Sequence, residues 1–126
     1  MKTIIQTTKA PAPIGPYNQA ILVDNTLYVS GQIALNPKTM ELVNKDIQAE
    51  TTQVMKNLSE VLKAAGMDFT NVVKATIYLA DMGDFTIVNE EYGGYFNDDD
   101  APARETVQVA QLPKNVRIEI SVIAIL

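Results

Sequence analysis

The segment VRIEISVIAIL (Val116–Leu126) constrains the fold more tightly than any other stretch of the chain. Read as a strand, it places Ile118, Ile120 and Val122 on one face and Arg117, Glu119 and Ser121 on the other. After Ser121, in VIAIL, both faces are apolar. A strand with one wet face alternates, whereas one buried on both sides does not. Helices packed on one side of a sheet leave its other side open. The pattern therefore predicts a homo-oligomer in which a second subunit covers that side. The alternative is a tail packed beneath the N-terminal loop.

The rest of the chain supplies the sheet and the helices. AILV (20–23), a turn at Asp24-Asn25 and TLYVSGQIAL (26–35) read as a hairpin that Asn36-Pro37 ends. Before it, APAPIGPYNQ (10–19) is a proline-fixed loop ending near Tyr17. From Asp46 the period lengthens. Ile47, Thr51, Val54, Leu58, Val61, Leu62 and Ala65 form one stripe of an amphipathic helix, and Gly66 stops it. NVVKATIYLAD alternates, with Val73, Ala75, Ile77 and Leu79 on one face. A second helix is expected after Asp84 as N-cap, with Phe85, Val88 and Tyr92 inward and Gly93-Gly94 weakening its end. Two more strands flank Leu112–Asn115. The predicted order is ββαβαββ, a single α+β domain over 1–126 with a mixed sheet and both helices on one face.

Composition excludes several chemistries. No histidine is present, which removes a Ser-His-Asp relay and an HExxH zinc site; no cysteine is present, which removes thiolate catalysis and disulfides. Asp98–Asp100 is the one acidic run where a metal could sit, and it reads better as a solvated loop. No metal is expected. With net charge −5 and basic residues spread along the chain, a phosphate-backbone footprint is not expected, so nucleic acid is an unfavoured partner. The longest apolar runs fall far short of the ~20 residues of a membrane span. MKTIIQTTKAPAP carries no long apolar stretch of the signal-peptide kind. A soluble, cytoplasmic protein is the expectation.

The candidate chemistry lies in PARETVQVA and VRIEISV. Arg104, Thr106 and Gln108 point to one side of their strand and Val107 and Val109 to the other. If the last two strands pair as a hairpin, Arg104, Thr106 and Glu119 share a face. A weak, solvent-facing Arg104–Glu119 pair is the bland alternative. An arginine where a proline loop enters a strand suits a planar carboxylate, because its fork donates two parallel hydrogen bonds. A nearby glutamate could polarise a water. Without histidine only mild acid–base chemistry is available, so the substrate must already be reactive, as a protonated imine is.

Several motifs in this order carry a family resemblance: IGPYNQA (14–20), SGQIALNP (30–37), AGMDFTNVVKATIYLADM (65–82), VNEEY (88–92), PAR (102–104) and QLPKNVRIEI (111–120). With them the chain resembles the RidA family (reactive intermediate/imine deaminase, also called YjgF) over nearly its whole length. The resemblance implies a chorismate-mutase-like subunit, three of which assemble with sites in the clefts between neighbours. It implies hydrolysis of 2-aminoacrylate, 2-iminopropanoate and 2-iminobutanoate to 2-keto acids and ammonia, without metal or organic cofactor. Arg104 matches the carboxylate-binding arginine and Glu119 the water-positioning glutamate. Tyr17 matches a pocket-closing tyrosine, Ser30-Gly31 a lining backbone segment, and Asn89 a polar pocket residue. Thr106 stands where many members carry cysteine, leaving its backbone carbonyl to hold water. Taken alone, Tyr17 could cap its loop, Gly31 could mark a strand bend, Asn89 could be helix surface, and Ser30 could act through backbone only. The alternative function is a small-metabolite-binding regulatory module, or the translation inhibitor/endoribonuclease activity described for relatives.

Overall fold

A computed structural model describes all residues, 1–126. Its strands are β1 (Lys2–Ile5), β2 (Ala20–Val23), β3 (Thr26–Gln32), β4 (Val72–Leu79), β5 (Ala103–Gln108) and β6 (Ile118–Ile125); its helices are α1 (Ile47–Ala64) and α2 (Phe85–Gly93). All five expected strands are present. The sixth is β1, in a segment whose sequence gives no alternation to announce it. It adds to β2 with Ile4 opposite Ile21.

One sheet holds all six strands in the order β1-β2-β3-β6-β4-β5. β6 runs antiparallel to both β3 and β4, so it fills the gap between two parallel strands joined through α1. β5 is parallel to β4, because the connection between them contains α2 and a crossover helix returns the chain in the same direction. The last two strands are therefore not a hairpin; β4 lies between them. Asp24, with φ 52°, makes the tight β2–β3 turn.

Both helices cover one face. α1 begins at Asp46, whose carboxylate accepts from the Ala49 amide at 2.8 Å, and ends before Gly66 at φ 74°, a left-handed position that suits glycine. Its stripe of Val54, Leu58, Val61 and Leu62 is fully buried against Leu27, Ile77, Ile118 and Ile120 of the sheet. Burying each such side chain contributes about 1.5–3 kcal/mol. At the second helix, Asp81 rather than Asp84 caps the preceding turn, accepting from the Gly83 amide at 2.8 Å; Asp84 makes no side-chain cap bond. Val88 and Tyr92 are buried as expected, while Phe85 stays 37% exposed.

Two irregularities matter. The β4–β6 register shifts between Val72 and Lys74, so Val72 enters the core and Val73 is exposed, opposite to strict alternation. In the β3–β6 pair, Val29 faces Val122 and Gln32 faces Ile120. Two residues, Ser30 and Gly31, thus oppose the single Ser121, which is a β-bulge.

The open face of the sheet carries Ile4, Ile21, Val23, Tyr28, Ile123, Ile125 and Val107, of which Ile4, Tyr28, Val107 and Ile125 are exposed. No helix of the chain covers it. Strand β6 is apolar on both faces, yet only one of them is packed within the chain.

Candidate functional site

The site residues separate into two groups, one on each face of the sheet. Tyr78 of β4 lies opposite both Glu119 and Val107, on the open face; Ala75 lies opposite both Arg104 and Val122, on the helix face. Arg104 and Glu119 of one chain consequently point to opposite sides. The expectation that they share a face rested on a hairpin, and inserting β4 between the strands, in this register, overturns it.

The first group surrounds a cavity of about 370 Å³ lined by Ile14, Tyr17, Ser30, Gly31, Ile33, Pro113 and Glu119. The bulge shapes it. A Cβ on Gly31 would sit 2.5 Å from Glu119 Oε2 and 2.7 Å from its Cδ, closer than real Cβ atoms approach. The glycine's bare backbone therefore makes room for the carboxylate. Glu119 is half-buried and accepts no hydrogen bond from the protein, and burial raises its pKa from the usual carboxylate value. A half-buried carboxylate without a protein partner can accept a proton from a bound water. The Ser30 hydroxyl is turned away, donating to the Asn18 carbonyl at 2.6 Å. Its contribution to the cavity is thus chiefly backbone.

Tyr17 borders the same cavity with 46% of its surface exposed, and its hydroxyl accepts from the Ile14 amide at 3.3 Å. Its loop is held by a residue to which sequence reasoning gave no role. Gln19 is buried, its Oε1 accepts from the Thr7 amide at 2.7 Å, and its Nε2 donates to the Thr7 and Pro11 carbonyls at 3.0 and 2.9 Å. Its place beside Tyr17 in IGPYNQ was the only signal.

The second group forms around β5, the edge strand. The Arg104 guanidinium carbon lies 5.1 Å from the Tyr92 ring centre and 5.8 Å from that of Phe85, both on α2. These aromatic faces hold the cation at its carbon and leave its N–H groups free. Arg104 joins none of the three ion pairs, Lys63–Glu60, Lys74–Glu105 and Arg117–Glu50. Asn89 is exposed on α2, four residues after Phe85 and three before Tyr92, so it lies on the same helical face. The hydroxyls of Tyr92 and Thr106 are both buried without a hydrogen-bond partner. Burial raises the Tyr92 pKa, and the Arg104 charge opposes that rise. Unpaired buried hydroxyls beside a free guanidinium mark a place for a polar guest. Phe85 and Tyr92 read as core in the sequence; helical spacing could not show that they also carry the arginine.

Glu105 points to the open face, bonded to Lys74 Nζ at 2.7 Å and to the Thr76 hydroxyl at 3.1 Å, away from Arg104. Asp98–Asp100 are exposed, and no three acidic side chains in the chain converge as a metal site would require. No helix is long and apolar enough to cross a membrane.

A family model described as endoribonuclease L-PSP matches residues 7–126. The chain belongs to that family. It is the RidA family that the sequence motifs resemble, and relatives and solved structures agree. The human 2-iminobutanoate/2-iminopropanoate deaminase is 54% identical over 125 residues, 99% of this chain and 90% of the human protein. A Yersinia pestis protein of the conserved Rid family superposes with a TM-score of 0.96 at 45% identity, covering 100% of both chains. Escherichia coli TdcF, solved with bound serine, gives a TM-score of 0.92 at 37% identity over 98% of each chain. The RidA fold is thus shared over the whole length.

Proposed function

We propose that the protein is a 2-iminobutanoate/2-iminopropanoate deaminase, hydrolysing short 2-imino and enamine acids to 2-keto acids and ammonia. The observation that carries this reading is chemical complementarity between the two groups. One holds a guanidinium with free N–H groups, the other a half-buried carboxylate with no partner, and a 2-imino acid asks for both. Because they lie on opposite faces of one chain, the working site is formed between copies, with β5 of one subunit against the bulge cavity of the next. A homotrimer closed by the apolar open face meets that demand. The human relative is named for this reaction, and the serine in TdcF is a small 2-amino acid of similar size.

In the proposed site Arg104 grips the substrate carboxylate through two parallel N–H donors, each charge-assisted bond contributing about 1.5–3 kcal/mol. Asn89, Thr106 and the backbone of Ser30-Gly31 line the bound acid, and Tyr17 closes over it. The protonated imine carbon faces a water that Glu119 holds. Glu119 takes a proton from that water as its oxygen bonds to carbon, and the C=N electron pair settles on nitrogen. Glu119 returns that proton to nitrogen and, as ammonia leaves, takes the hydroxyl proton so that the neutral carbonyl forms. The water supplies the oxygen of the keto acid, and no redox partner or cofactor is needed. Clearing such reactive acids is metabolite repair, and a cytoplasmic setting suits it.

Replacing Arg104 with Ala in the assembled protein tests the reading, with imine generated in the assay by an amino-acid dehydratase. Loss of at least about 2 kcal/mol in transition-state binding, about 30-fold in kcat/KM, is the expected result. Unchanged turnover would remove the mechanism. A purely regulatory binding module would instead show ligand-dependent stabilisation without turnover. The acidic balance of the chain, with pI near 4.6, argues against RNA as its substrate.

A further inference from the structure

Away from both groups, α1 and two loops enclose a groove of about 630 Å³ whose composition runs against that of the chain. The protein has net charge −5, yet Lys9, Lys38, Lys56 and Lys63 all line this groove, and Glu60 is its only carboxylate. Four of the ten basic residues therefore line one groove, drawn from two loops and α1.

The local structure presents them deliberately. Lys56 and Lys63 are seven residues apart on α1, two turns along one face. Lys38 sits on a turn fixed by the Asn36 carboxamide, which accepts from the Lys38 amide at 2.9 Å. Lys9 follows Thr7, whose hydroxyl accepts from the Lys9 amide at 3.1 Å. Only Lys63 has an ion-pair partner, Glu60 at 3.4 Å; Lys9, Lys38 and Lys56 have none. Asn57 on the groove floor offers no free group to the lysines. Asn57 is buried there and fully engaged, donating to the Ile33 and Leu35 carbonyls at 3.0 Å each and accepting from Gln53 at 2.9 Å. Gathering four ammonium groups costs mutual repulsion, which a bound anion would relieve.

We propose that this groove binds a small polyvalent anion of the diphosphate class. Lysine ammoniums act as point charges on flexible stems and suit phosphoryl oxygens, whereas planar carboxylates are matched by an arginine fork, which the groove lacks. The volume leaves room for more than one tetrahedral anion. This site is independent of the deaminase reading and of its residues.

The test is calorimetric titration of the intact protein with pyrophosphate and with inorganic phosphate, at low and at high salt. Pyrophosphate should bind, more tightly than phosphate and more weakly as salt rises. In the double variant Lys38→Glu/Lys56→Glu, affinity should fall by at least about tenfold, with the unfolding midpoint unchanged. Lys45→Glu, outside the groove, should leave binding intact. No heat with pyrophosphate at low salt overturns the proposal. So does equal affinity for phosphate, an undiminished double variant, or an equal loss in Lys45→Glu.

Discussion

At Gly31 a missing methyl group decides where a carboxylate stands. Because a Cβ there would meet Glu119 Oε2 at 2.5 Å, Gly31→Ala must push the carboxylate aside. The displaced atom is the end of a flexible side chain, so the fold should persist. Activity should fall by at least about tenfold, part of the 10²–10⁴ that a positioned acid–base group supplies, with the unfolding midpoint nearly unchanged. Wild-type kinetics in Gly31→Ala would separate Glu119 from the chemistry. The same carboxylate sets a pH dependence. Its pKa is raised in the folded protein by burial, so between the ordinary value of 4.5 and the raised one the folded state holds a proton that the unfolded chain has lost. Folding stability from this group therefore declines as pH rises through that window, then levels off. Catalysis runs the other way, since only the ionised form can accept a proton: kcat should rise with pH through the raised pKa. Glu119→Gln should flatten the decline in stability and remove the rising limb of the rate, both readable from melting and rate profiles across pH. A stability profile that Glu119→Gln leaves unchanged would mean the buried carboxylate does not titrate as described.

At the level of elements, the chain was most legible where one period governs a whole segment. The α1 stripe from Ile47 to Leu62, with Asp46 ahead and Gly66 behind, could be read because helix caps and periodicity are local. The β2–β3 hairpin was legible for the same reason. Pairing between distant strands was not. Nothing in PARETVQVA or VRIEISV says that β4 will lie between them, and that insertion, with the register it takes, put Arg104 and Glu119 on opposite faces. The bulges at Ser30-Gly31 and Val73 each shift the phase by one residue, which alternation cannot foresee. Arg117 shows the same limit. Strict alternation put it with Glu119, but it turns to α1, where its Nε and its amide donate to the two oxygens of buried Glu50 at 2.8 Å each, while its Nη2 reaches the Asn44 carbonyl at 2.8 Å. This pair ties the start of α1 to the entry of β6. Removing the carboxylate with Glu50→Ala strands both donors and should cost about 3 kcal/mol, the low end for a broken buried pair because the Arg117 side chain keeps 40% exposure. Chemical denaturation measures it; a loss below about 1 kcal/mol would make the pair incidental.

Across the whole molecule, two incomplete halves and one uncovered apolar face point to a single arrangement. The face carrying Ile4, Tyr28, Val107 and Ile125 is exposed in the isolated chain, and exposed apolar surface of this kind marks an interface. β5 ends the sheet with its outer edge unpaired, carrying Arg104 to the edge of the chain. In the proposed assembly each copy contributes its arginine to one site and its glutamate to another. The most direct check is subunit complementation between Arg104→Ala and Glu119→Ala, each expected to be nearly inactive on its own, unfolded together and refolded as mixed assemblies. With sites shared between neighbours, a random equal mixture should recover about a quarter of wild-type turnover, the chance that an intact arginine meets an intact glutamate. Mixed assemblies that stay as inactive as either parent would contradict a site built from two chains.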